Sequence, residues 1–387
     1  MKLEQLSVPH DFNRKLIAAT GIGASILAVT AVISPDRAWA NLFVAAWYLI
    51  TLGLGGALFI ALTTVCGAGW STAFRRVPEA MTGLLPIAGI LLLATVAIRL
   101  PQYGWHHHGT GDAGTFWFKE LWLQPSFLAV RAVVYILLWI VFAKLLVGRS
   151  RRQDTQTNPS PAPSVLTSIL FLFVFAFTIS LAAVDWIMAL EPLWFSTIWG
   201  VYQFSGLIMT TIATMIIACI VLRRRGPLNG IFREDHLHDL AKLLIGFSCF
   251  WMYIWFSQYM LIWYSNIPEE TSYFIPRTQG PWGPVLIGSI VLNWVIPFFV
   301  LLPQPCKRSE SVMLKIAAVV LIGRWFDLYV MVFPPVTGNV PIFGLPEVAS
   351  MLCVCGLAGL LFSKAFAVAN PVPRNDPFLQ ESLHYHC

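Results

Sequence analysis

Two residues of opposite charge, Arg324 and Asp327, interrupt the apolar stretch VVLIGRWFDLYVMVF at residues 319–333. Their spacing of three places them on one face of a helix, where an arginine and a carboxylate can form an ion pair. A charge at the centre of a bilayer costs at least about 2.5–3.5 kcal/mol, and such residues commonly mark a proton or ion pathway. The alternative is a structural pair whose charges neutralise each other and fix helix packing. The sequence leaves both interpretations open.

Three more ionisable residues could extend a proton pathway. Asp185 and Glu191 lie in the motif AVDWIMALEP, and Arg131 lies within another apolar stretch. We expect Asp327 and Asp185 to carry protons, with Arg324 and Arg131 as the charges that keep these carboxylates ionised. The alternatives are that Asp185 lies close enough to the membrane surface to be wet, and that Arg131 extends its charge outward to water.

A second set of polar residues could contact a quinone ring. Ser257, Gln258 and Tyr259 interrupt the aromatic stretch FWMYIWFSQYMLIWY at residues 250–264. Tyr202 is a further hydrogen-bonding partner, which we assign to the predicted proton pathway. Aromatic residues that face lipid are the commoner origin of such a stretch. The sequence therefore supports a quinone site or a lipid-facing surface here.

The histidines and cysteines predict no redox centre in this chain. None of the eight histidines lies in a stretch that could span a membrane, which excludes a di-haem cytochrome b. The seven cysteines form no CxxC or CxxCH motif, which argues against a disulfide framework, covalent haem and a cysteine-ligated iron–sulfur cluster. We predict no catalytic residue, no metal and no covalently bound cofactor.

Two histidine-rich segments have simpler interpretations than metal binding. The run His106–His108 in YGWHHHGTGD, residues 103–112, is expected to be an exposed loop that contacts another subunit. His107 and Asp112 match the HX4D spacing of acyltransferases, but no soluble catalytic domain accompanies them. The residues HYHC at 384–387 lie at a terminus, where disorder is common.

The composition predicts an all-α integral membrane protein. The chain has 387 residues, of which 57% are hydrophobic and 11% are charged, and its mean hydropathy is +0.70. Soluble domains have about 25% charged residues, so this chain cannot cover a water-facing surface. A membrane span needs about 20 apolar residues, and the first predicted span exceeds the apolar run of a signal peptide, so we expect it to be retained. The ten predicted spans are residues 16–34, 41–64, 81–99, 124–146, 165–188, 197–222, 239–264, 284–303, 312–332 and 345–366.

Lysine and arginine residues predict the orientation. One side of the predicted topology carries 19 of the 25, and the exceptions are Arg37, Arg99, Lys119, Arg277 and the two arginines within spans, Arg131 and Arg324. Both termini are therefore expected in the cytoplasm. The net charge of +6 reflects this topology and an attraction to anionic lipid, and it needs no nucleic acid. The polar segment 149–164 is the candidate internal boundary, and no soluble domain is predicted.

The predicted orientation places the five charges described above in the outer half of the membrane or at its outer surface. The inner half is expected to hold hydroxyl side chains but no carboxylate at depth. His238, Asp239 and Lys242 lie at the cytoplasmic mouth. This distribution is typical of a half-channel, or of a polar core at one end. The inner hydroxyl side chains are those of Thr63, Thr64, Thr210, Thr211, Thr214 and Ser248.

Three stretches resemble one family of membrane subunits. Residues 182–206 (AAVDWIMALEPLWFSTIWGVYQFSG), 237–270 (LHDLAKLLIGFSCFWMYIWFSQYMLIWYSNIPEE) and 321–335 (LIGRWFDLYVMVFPP) are similar to ActF subunits of bacterial alternative complex III. This complex is a quinol:cytochrome c oxidoreductase, and the subunit belongs to an NrfD/PsrC-like superfamily. The resemblance covers about residues 40–370. Its motif positions here are Asp185, Glu191, His238, Asp239, Gln258, Tyr259, Glu269, Glu270, Arg324 and Asp327.

The resemblance implies a fold and a set of partners. Residues 1–387 would form one polytopic domain with two four-helix bundles, 41–188 and 197–332, flanked by helices within 1–34 and 345–387. The subunit would carry no redox centre and would pair with a paralogous ActC-like subunit that oxidises quinol. Haem and iron–sulfur clusters would belong to a periplasmic iron–sulfur protein and to multihaem and monohaem c-type cytochromes, with small membrane subunits completing the complex.

The predicted function is that of a membrane subunit in a respiratory or photosynthetic quinol:electron-acceptor oxidoreductase of the bacterial cytoplasmic membrane. It would support quinol oxidation and conduct protons, and it would be enzymatic only within the complex. Quinone, quinol or lipid are the candidate noncovalent ligands. One alternative is a secondary transporter, although transporters commonly show broken helices in matching positions of two repeats. The other is a structural scaffold whose charges are assembly contacts.

Overall fold

The computed structural model describes residues 10–100, 121–156, 161–191, 194–338 and 340–386. Within these ranges the chain forms ten long helices and no strand. The helices are α1 (His10–Ile33), α2 (Pro35–Val65), α3 (Arg76–Arg99), α4 (Pro125–Gln153), α5 (Ala162–Trp186), α6 (Trp199–Arg224), α7 (Glu234–Ser265), α8 (Gly283–Leu301), α9 (Glu310–Val332) and α10 (Leu345–Ala367). Short helical turns occupy Gly69–Phe74, Met188–Leu190, Pro268–Thr271, Phe274–Thr278, Gln304–Arg308, Pro334–Thr337 and Leu379–Leu383.

Nine of these ten helices in the described ranges are long and apolar enough to cross a membrane. The tenth, α9, has 23 residues and would extend about 34 Å. It differs from the other nine because Lys315, Arg324 and Asp327 all lie within its apolar stretch. Arg324 and Asp327 are buried within the protein, so neither charge faces lipid. The predicted all-α membrane fold of about ten helices is confirmed.

Helices α2–α5 form one four-helix bundle and α6–α9 form the second. In the first, α2 packs on α3, α4 and α5, and in the second, α9 packs on α6 and α8 while both of these pack on α7. The bundles meet where α2 and α5 contact α6. The flanking helices α1 and α10 pack on each other and both contact α2. The two flanking helices are therefore neighbours on one side of the bundles.

Helix α2 is the central element, and its most apolar stretch is completely buried. Glycines bring its backbone close to its neighbours. A Cβ at Gly55 would lie 1.6 Å from Oγ1 of Thr211 on α6, and one at Gly56 would lie 2.4 Å from the carbonyl oxygen of Pro78 on α3. Lipid offers little hydrophobic drive for helix association, so close packing at small residues becomes important.

Ion pairs define the two faces of the molecule. Arg76 at the start of α3 pairs with Asp154 beyond α4, and Arg224 at the end of α6 pairs with Glu310 at the start of α9. We call this end, where α2, α4, α6 and α8 finish, the basic face, and the other end the opposite face. On the opposite face, Arg37 at the start of α2 pairs with Glu347 at the start of α10.

Residues 65–80 and 147–164, which lie between predicted spans, are partly helical in their described parts. Arg76 donates hydrogen bonds of 2.5 Å to both Glu79 and Asp154, and this network is almost completely buried. It joins the start of α3 to the end of α4, because Arg76 donates to Asp154 and Glu79 accepts from Ser150 on α4. Glu79 is thus a buried carboxylate one turn from the basic face. The sequence analysis predicted no carboxylate at depth in this half of the protein.

Residues 371–386, which we call the C-terminal strap, cross the basic face. Asp376 of the strap accepts a 2.7 Å hydrogen bond from Arg75, which precedes α3 of the first bundle. The hydroxyl of Tyr385 donates to Asp239 on α7 of the second bundle. The C-terminal strap therefore joins the two bundles at this end.

The close approach of α2 to α6 predicts the effect of a single methyl group. Gly55→Ala should lower the free energy of unfolding by about 1–3 kcal/mol, because the new Cβ would collide with Thr211 and separate the helices. Gly246→Ala on α7 is the matched control, since a Cβ there would meet nothing within 4 Å. Thermal denaturation of the purified protein in detergent measures both. Equal midpoints for the two variants would contradict the proposed packing constraint.

Candidate functional site

The central polar cluster lies where α6 and α9 cross. Arg324 is completely buried, and its guanidinium donates to Asp327 and, over 2.8 Å, to Oε1 of Gln203. A Cβ at Gly206 would lie 2.4 Å from Cζ of Arg324, so the glycine leaves room for the guanidinium against α6. The predicted same-helix ion pair is present, and a partner on a second helix supports it.

Asp327 receives hydrogen bonds from three helices. Besides Arg324 on its own helix, Tyr202 on α6 donates to Oδ1 over 2.5 Å and Trp251 on α7 donates to Oδ2 over 3.2 Å. Tyr202 was predicted as a hydrogen-bonding partner, whereas Trp251 was not, because nothing in the sequence shows which face of α7 points to α9. The carboxylate is thereby held in one place with both oxygens occupied.

Gln203 connects this cluster to the first bundle. Its Oε1 accepts from Nε1 of Trp47 on α2 over 3.3 Å in addition to the bond from Arg324. The sequence analysis missed Gln203, although an amide in the middle of an apolar span was the available signal. The hydrogen bonds of Gln203 place a polar contact at the interface between the two bundles.

A small cavity adjoins Asp327 on the side toward the opposite face. Its volume is about 10 Å³, close to the minimum that accommodates one water molecule. The polar groups around it belong to Tyr202, Gln258, Arg277 and Asp327, together with Tyr273. A water needs two to four polar partners, and this lining supplies them. The cavity therefore places Asp327 and Arg277 around a single water-sized space.

Arg277 links this cavity to the opposite face. Its guanidinium donates to Oε1 of Glu191 over 2.8 Å and to the carbonyl oxygen of Val330 over 3.0 Å. The second bond places a positive charge at the C-terminal end of α9, where the helix dipole favours it. Glu191 is partly exposed, with 27% of its side chain accessible. Burial raises the pKa of the Tyr273 phenol beside Arg277, so this phenol stays protonated near neutral pH.

Arg131 and Asp185 form a separate cluster within the first bundle. The guanidinium of Arg131 is bidentate on the completely buried carboxylate, with both bonds at 3.0 Å. Trp122 and Tyr135 also donate to Asp185, over 2.6 and 3.2 Å. Arg131 does not extend to water, because its charge is satisfied by Asp185 and lies 4.0 Å from the ring centre of Trp122.

Indole rings separate the two carboxylate clusters. Between Gln203 of the central cluster and Tyr135 of the Asp185 cluster lie Trp47 and Trp186, whose ring centres are 5.8 Å apart in an edge-on arrangement. An indole N–H donates a hydrogen bond but accepts none, so these rings cannot relay a proton. The predicted proton carriers Asp185 and Asp327 therefore do not share one chain of hydrogen bonds among the described side chains.

His238 and Asp239 lie at the basic face, as expected from the sequence. Asp239 pairs with Lys242 over 2.6 Å, and Nδ1 of His238 has no hydrogen-bond partner within the described part of the chain. Twelve residues of α7, about 18 Å, separate Asp239 from Trp251 at the central cluster. Between them, Ser248 donates to the carbonyl oxygen of Asn293 over 2.5 Å. The basic-face half thus offers hydroxyl and backbone groups between its mouth and Asp327.

The predicted quinone contacts occupy three different surroundings. Gln258 donates to Ser196 over 2.8 Å and lines the water-sized cavity, and the ring of Tyr259 stacks on Trp255 at 5.4 Å. Ser257 is partly exposed. A cavity of about 10 Å³ at Gln258 is too small for a quinone ring. A quinone does not fit between these side chains as they are arranged, and their role as quinone contacts stays a prediction.

Other predicted residues fall outside the described ranges. The run His106–His108, residue Asp112 and Cys387 at the end of HYHC are among them. Within the residues that are described, no group of three His, Cys, Asp or Glu side chains could hold a metal ion. The predictions for the histidine run and for Cys387 stay untested.

One further buried carboxylate was missed at the opposite face. Glu347 accepts from Arg37 over 2.8 and 2.5 Å and from Asn41 over 2.9 Å, which joins α10 to α2. An acidic residue within the tenth predicted span was a signal that could have identified it. Its bidentate partner is more than 300 residues away in the sequence, so the pairing itself could not be read from spacing.

The Arg131–Asp185 pair predicts that a second substitution rescues the stability lost by the first. Asp185→Asn should reduce the free energy of unfolding by about 3–5 kcal/mol, because it leaves the buried Arg131 without a counter-charge. Adding Arg131→Gln should restore most of that loss, since no charge then remains buried. Thermal denaturation in detergent of the two single variants and the double variant tests this. A double variant less stable than Asp185→Asn alone would refute the charge argument.

Comparisons with known proteins assign no family. No protein-family model matches this chain, and no curated protein matches it either.

Proposed function

We propose that this chain is a membrane subunit, without its own redox centre, of a bacterial quinol:electron-acceptor oxidoreductase. In this proposal it supports quinol oxidation by a paralogous neighbouring subunit and carries protons through the half of the membrane next to the opposite face. The observation that carries the proposal is the buried carboxylate of Asp327 beside a water-sized cavity that leads toward the Arg277–Glu191 pair. The resemblance of three sequence stretches to ActF subunits of alternative complex III supports it independently.

The proposed proton pathway has three steps. Asp327 is the buried proton acceptor, and Tyr202 and Arg324 position it. A water in the adjoining cavity would take the proton from Asp327 and pass it to further water beside Arg277, because the guanidinium donates but cannot accept. Arg277 holds Glu191, the carboxylate at the surface end, in place. Ionisable groups at each end and a water between them are the parts that proton relays in membranes use.

Charge balance indicates when Asp327 would take up a proton. The Arg324–Asp327 pair is neutral only while the carboxylate is ionised, and protonation leaves Arg324 as an uncompensated buried cation. Proton uptake must therefore accompany the arrival of negative charge or the departure of positive charge nearby. Quinol oxidation in an adjacent subunit releases electrons together with protons, and the electrons would be the arriving negative charge.

The proposed orientation places the basic face and both termini in the cytoplasm. The excess of lysine and arginine at that face supports this assignment. The iron–sulfur protein and c-type cytochromes would then lie at the opposite face, close to Glu191. Haem and iron–sulfur clusters belong to these partners in the proposal, and no step is assigned to a quinone bound within this chain.

The first test is purification in gentle detergent by a tag on this chain, followed by haem spectroscopy and identification of the co-purifying subunits. The proposal expects a multihaem cytochrome and an iron–sulfur protein, with quinol:acceptor activity. A lone colourless protein would refute it, and solute uptake by that protein alone in liposomes would instead establish a secondary transporter.

Asp327→Asn should reduce proton release coupled to quinol oxidation by roughly tenfold or more in the assembled complex, because it removes the buried acceptor. Asp36→Asn is the matched control, since this carboxylate lies at the opposite face, as Glu191 does, with 68% of its side chain exposed. Proton release and electron transfer are measured together in proteoliposomes. Unchanged proton release in Asp327→Asn would exclude the proposed pathway.

A neutral double variant separates a proton role from a scaffold role. Arg324→Gln with Asp327→Asn removes both charges, so the burial penalty of an unpaired ion disappears. We expect the complex to assemble at a normal level, as measured by gel filtration, while proton release stays as low as in Asp327→Asn. Assembly with full proton release would mean that the pair is only a structural neutralisation.

A further inference from the structure

A second, much larger cavity lies between the flanking helices and the two bundles. Its volume is about 360 Å³, within the range of small-molecule sites. Residues of α2, α3, α6, α9 and α10 form its walls, and nearly all of them are apolar. Typical wall residues are Leu52, Met81, Ile217, Val354 and Phe362. The cavity is thus lined as a site for a hydrocarbon chain, and the proposed proton pathway does not use it.

The cavity extends along the helices over about the length of an acyl chain. On α10 its lining runs from Met351 to Ser363, a rise of about 18 Å. Tyr48 and Trp325 close the deep end, and the hydroxyl of Tyr48 is already engaged as a donor to the carbonyl oxygen of Leu321 over 2.9 Å. Ile322 on the wall is 42% exposed at the lipid-facing surface. A chain from the bilayer can therefore reach the cavity sideways.

A single cationic side chain stands at the basic-face end of this cavity. Arg225 follows α6, is exposed, and its guanidinium carbon lies 4.0 Å from the ring centre of Phe12, another lining residue. No carboxylate of the described ranges forms an ion pair with Arg225. The two preceding arginines differ, because both Arg223 and Arg224 pair with Glu310, over 3.2 and 2.8 Å.

We propose that this cavity binds one acyl chain of an anionic phospholipid, with the lipid phosphate at Arg225. The apolar walls match the chain, and Arg225, the arginine among the lining residues, matches the phosphate in charge. The second chain of the lipid stays in the bilayer. The site ties α1 and α10 to the bundles at the basic face, which is the face that the proposed orientation places in the cytoplasm.

The features of the cavity favour this ligand over two others. A free phosphate or other soluble anion would use Arg225 but leave the apolar volume empty. An isoprenoid quinone would fill the apolar volume, but its neutral ring gains little from a cation at the mouth. Only a molecule with both a long hydrocarbon chain and an anionic head uses Arg225 and the walls together.

Native mass spectrometry of the full-length chain in mild detergent tests the proposal. Phosphatidylglycerol and phosphatidylcholine are titrated separately, and retained lipids per chain are counted. We expect one retained phosphatidylglycerol. Arg225→Gln should weaken its apparent affinity about fivefold, because one arginine near a charged lipid surface contributes about that much, while phosphatidylcholine binding should not change. Arg224→Gln is the matched control, since Arg224 does not line the cavity, and it should bind phosphatidylglycerol as the unaltered chain does.

A second pair of variants tests the apolar part. Ala218→Phe places a ring in the cavity and should abolish retention of the lipid, whereas Val201→Phe on the exposed side of the same helix should not. Equal phosphatidylglycerol retention in a folded Ala218→Phe variant would overturn the proposal. Equal affinity of the chain for the two lipids, with phosphatidylglycerol binding unchanged in Arg225→Gln, would also overturn it. A co-purifying isoprenoid quinone that Ala218→Phe displaces would do the same. Arg225 is exposed and outside the helix, so its substitution tests the proposal even where Ala218→Phe does not fold.

Discussion

Burial of a carboxylate away from water is unfavourable unless a cation and hydrogen bonds compensate it, and this constraint explains how the helices are joined. In the described part of the chain the partner of each buried carboxylate is an arginine, whose planar guanidinium can meet both carboxylate oxygens. Two of the pairs cross between helices, so the charge compensation also holds those helices together. These pairs are Arg37–Glu347 and Arg131–Asp185.

The Arg324–Asp327 pair lies on one helix, as Arg76–Glu79 does, but Arg76 also pairs with Asp154 beyond α4, whereas Arg324 pairs with a carboxylate of its own helix. It joins no two helices by itself, and its contacts with α6 and α7 come from Gln203, Tyr202 and Trp251. It also adjoins a water-sized cavity. With hydrogen bonds from α6 and α7 and a space for water beside it, the pair has the surroundings that the proposed proton role requires.

The positions of the helices along the chain could be predicted from sequence, because long apolar stretches have few alternatives in a membrane. Their grouping into two bundles was expected only from the resemblance. The same-helix pair Arg324–Asp327 was also predictable, since a spacing of three fixes the geometry. Arg131 and Asp185 were both identified, but their bond was not, because apolar stretches without strong periodicity do not show which helix faces meet. Glu79 was missed since its segment contains Pro78 and two arginines and was assigned to a connection.

The C-terminal strap has a consequence for how the protein is made. Ser382 donates to the carbonyl oxygen of Trp70 over 2.6 Å, and its own carbonyl oxygen lies 3.0 Å from Nε2 of His236. Residues 371–386 leave the ribosome only after all ten helices have been synthesised. The turn around Trp70, made among the first, therefore gains these bonds only after residues 371–386 have been synthesised. The basic face is completed last, and a nascent chain halted after α10 would contain both bundles without the C-terminal strap that joins them.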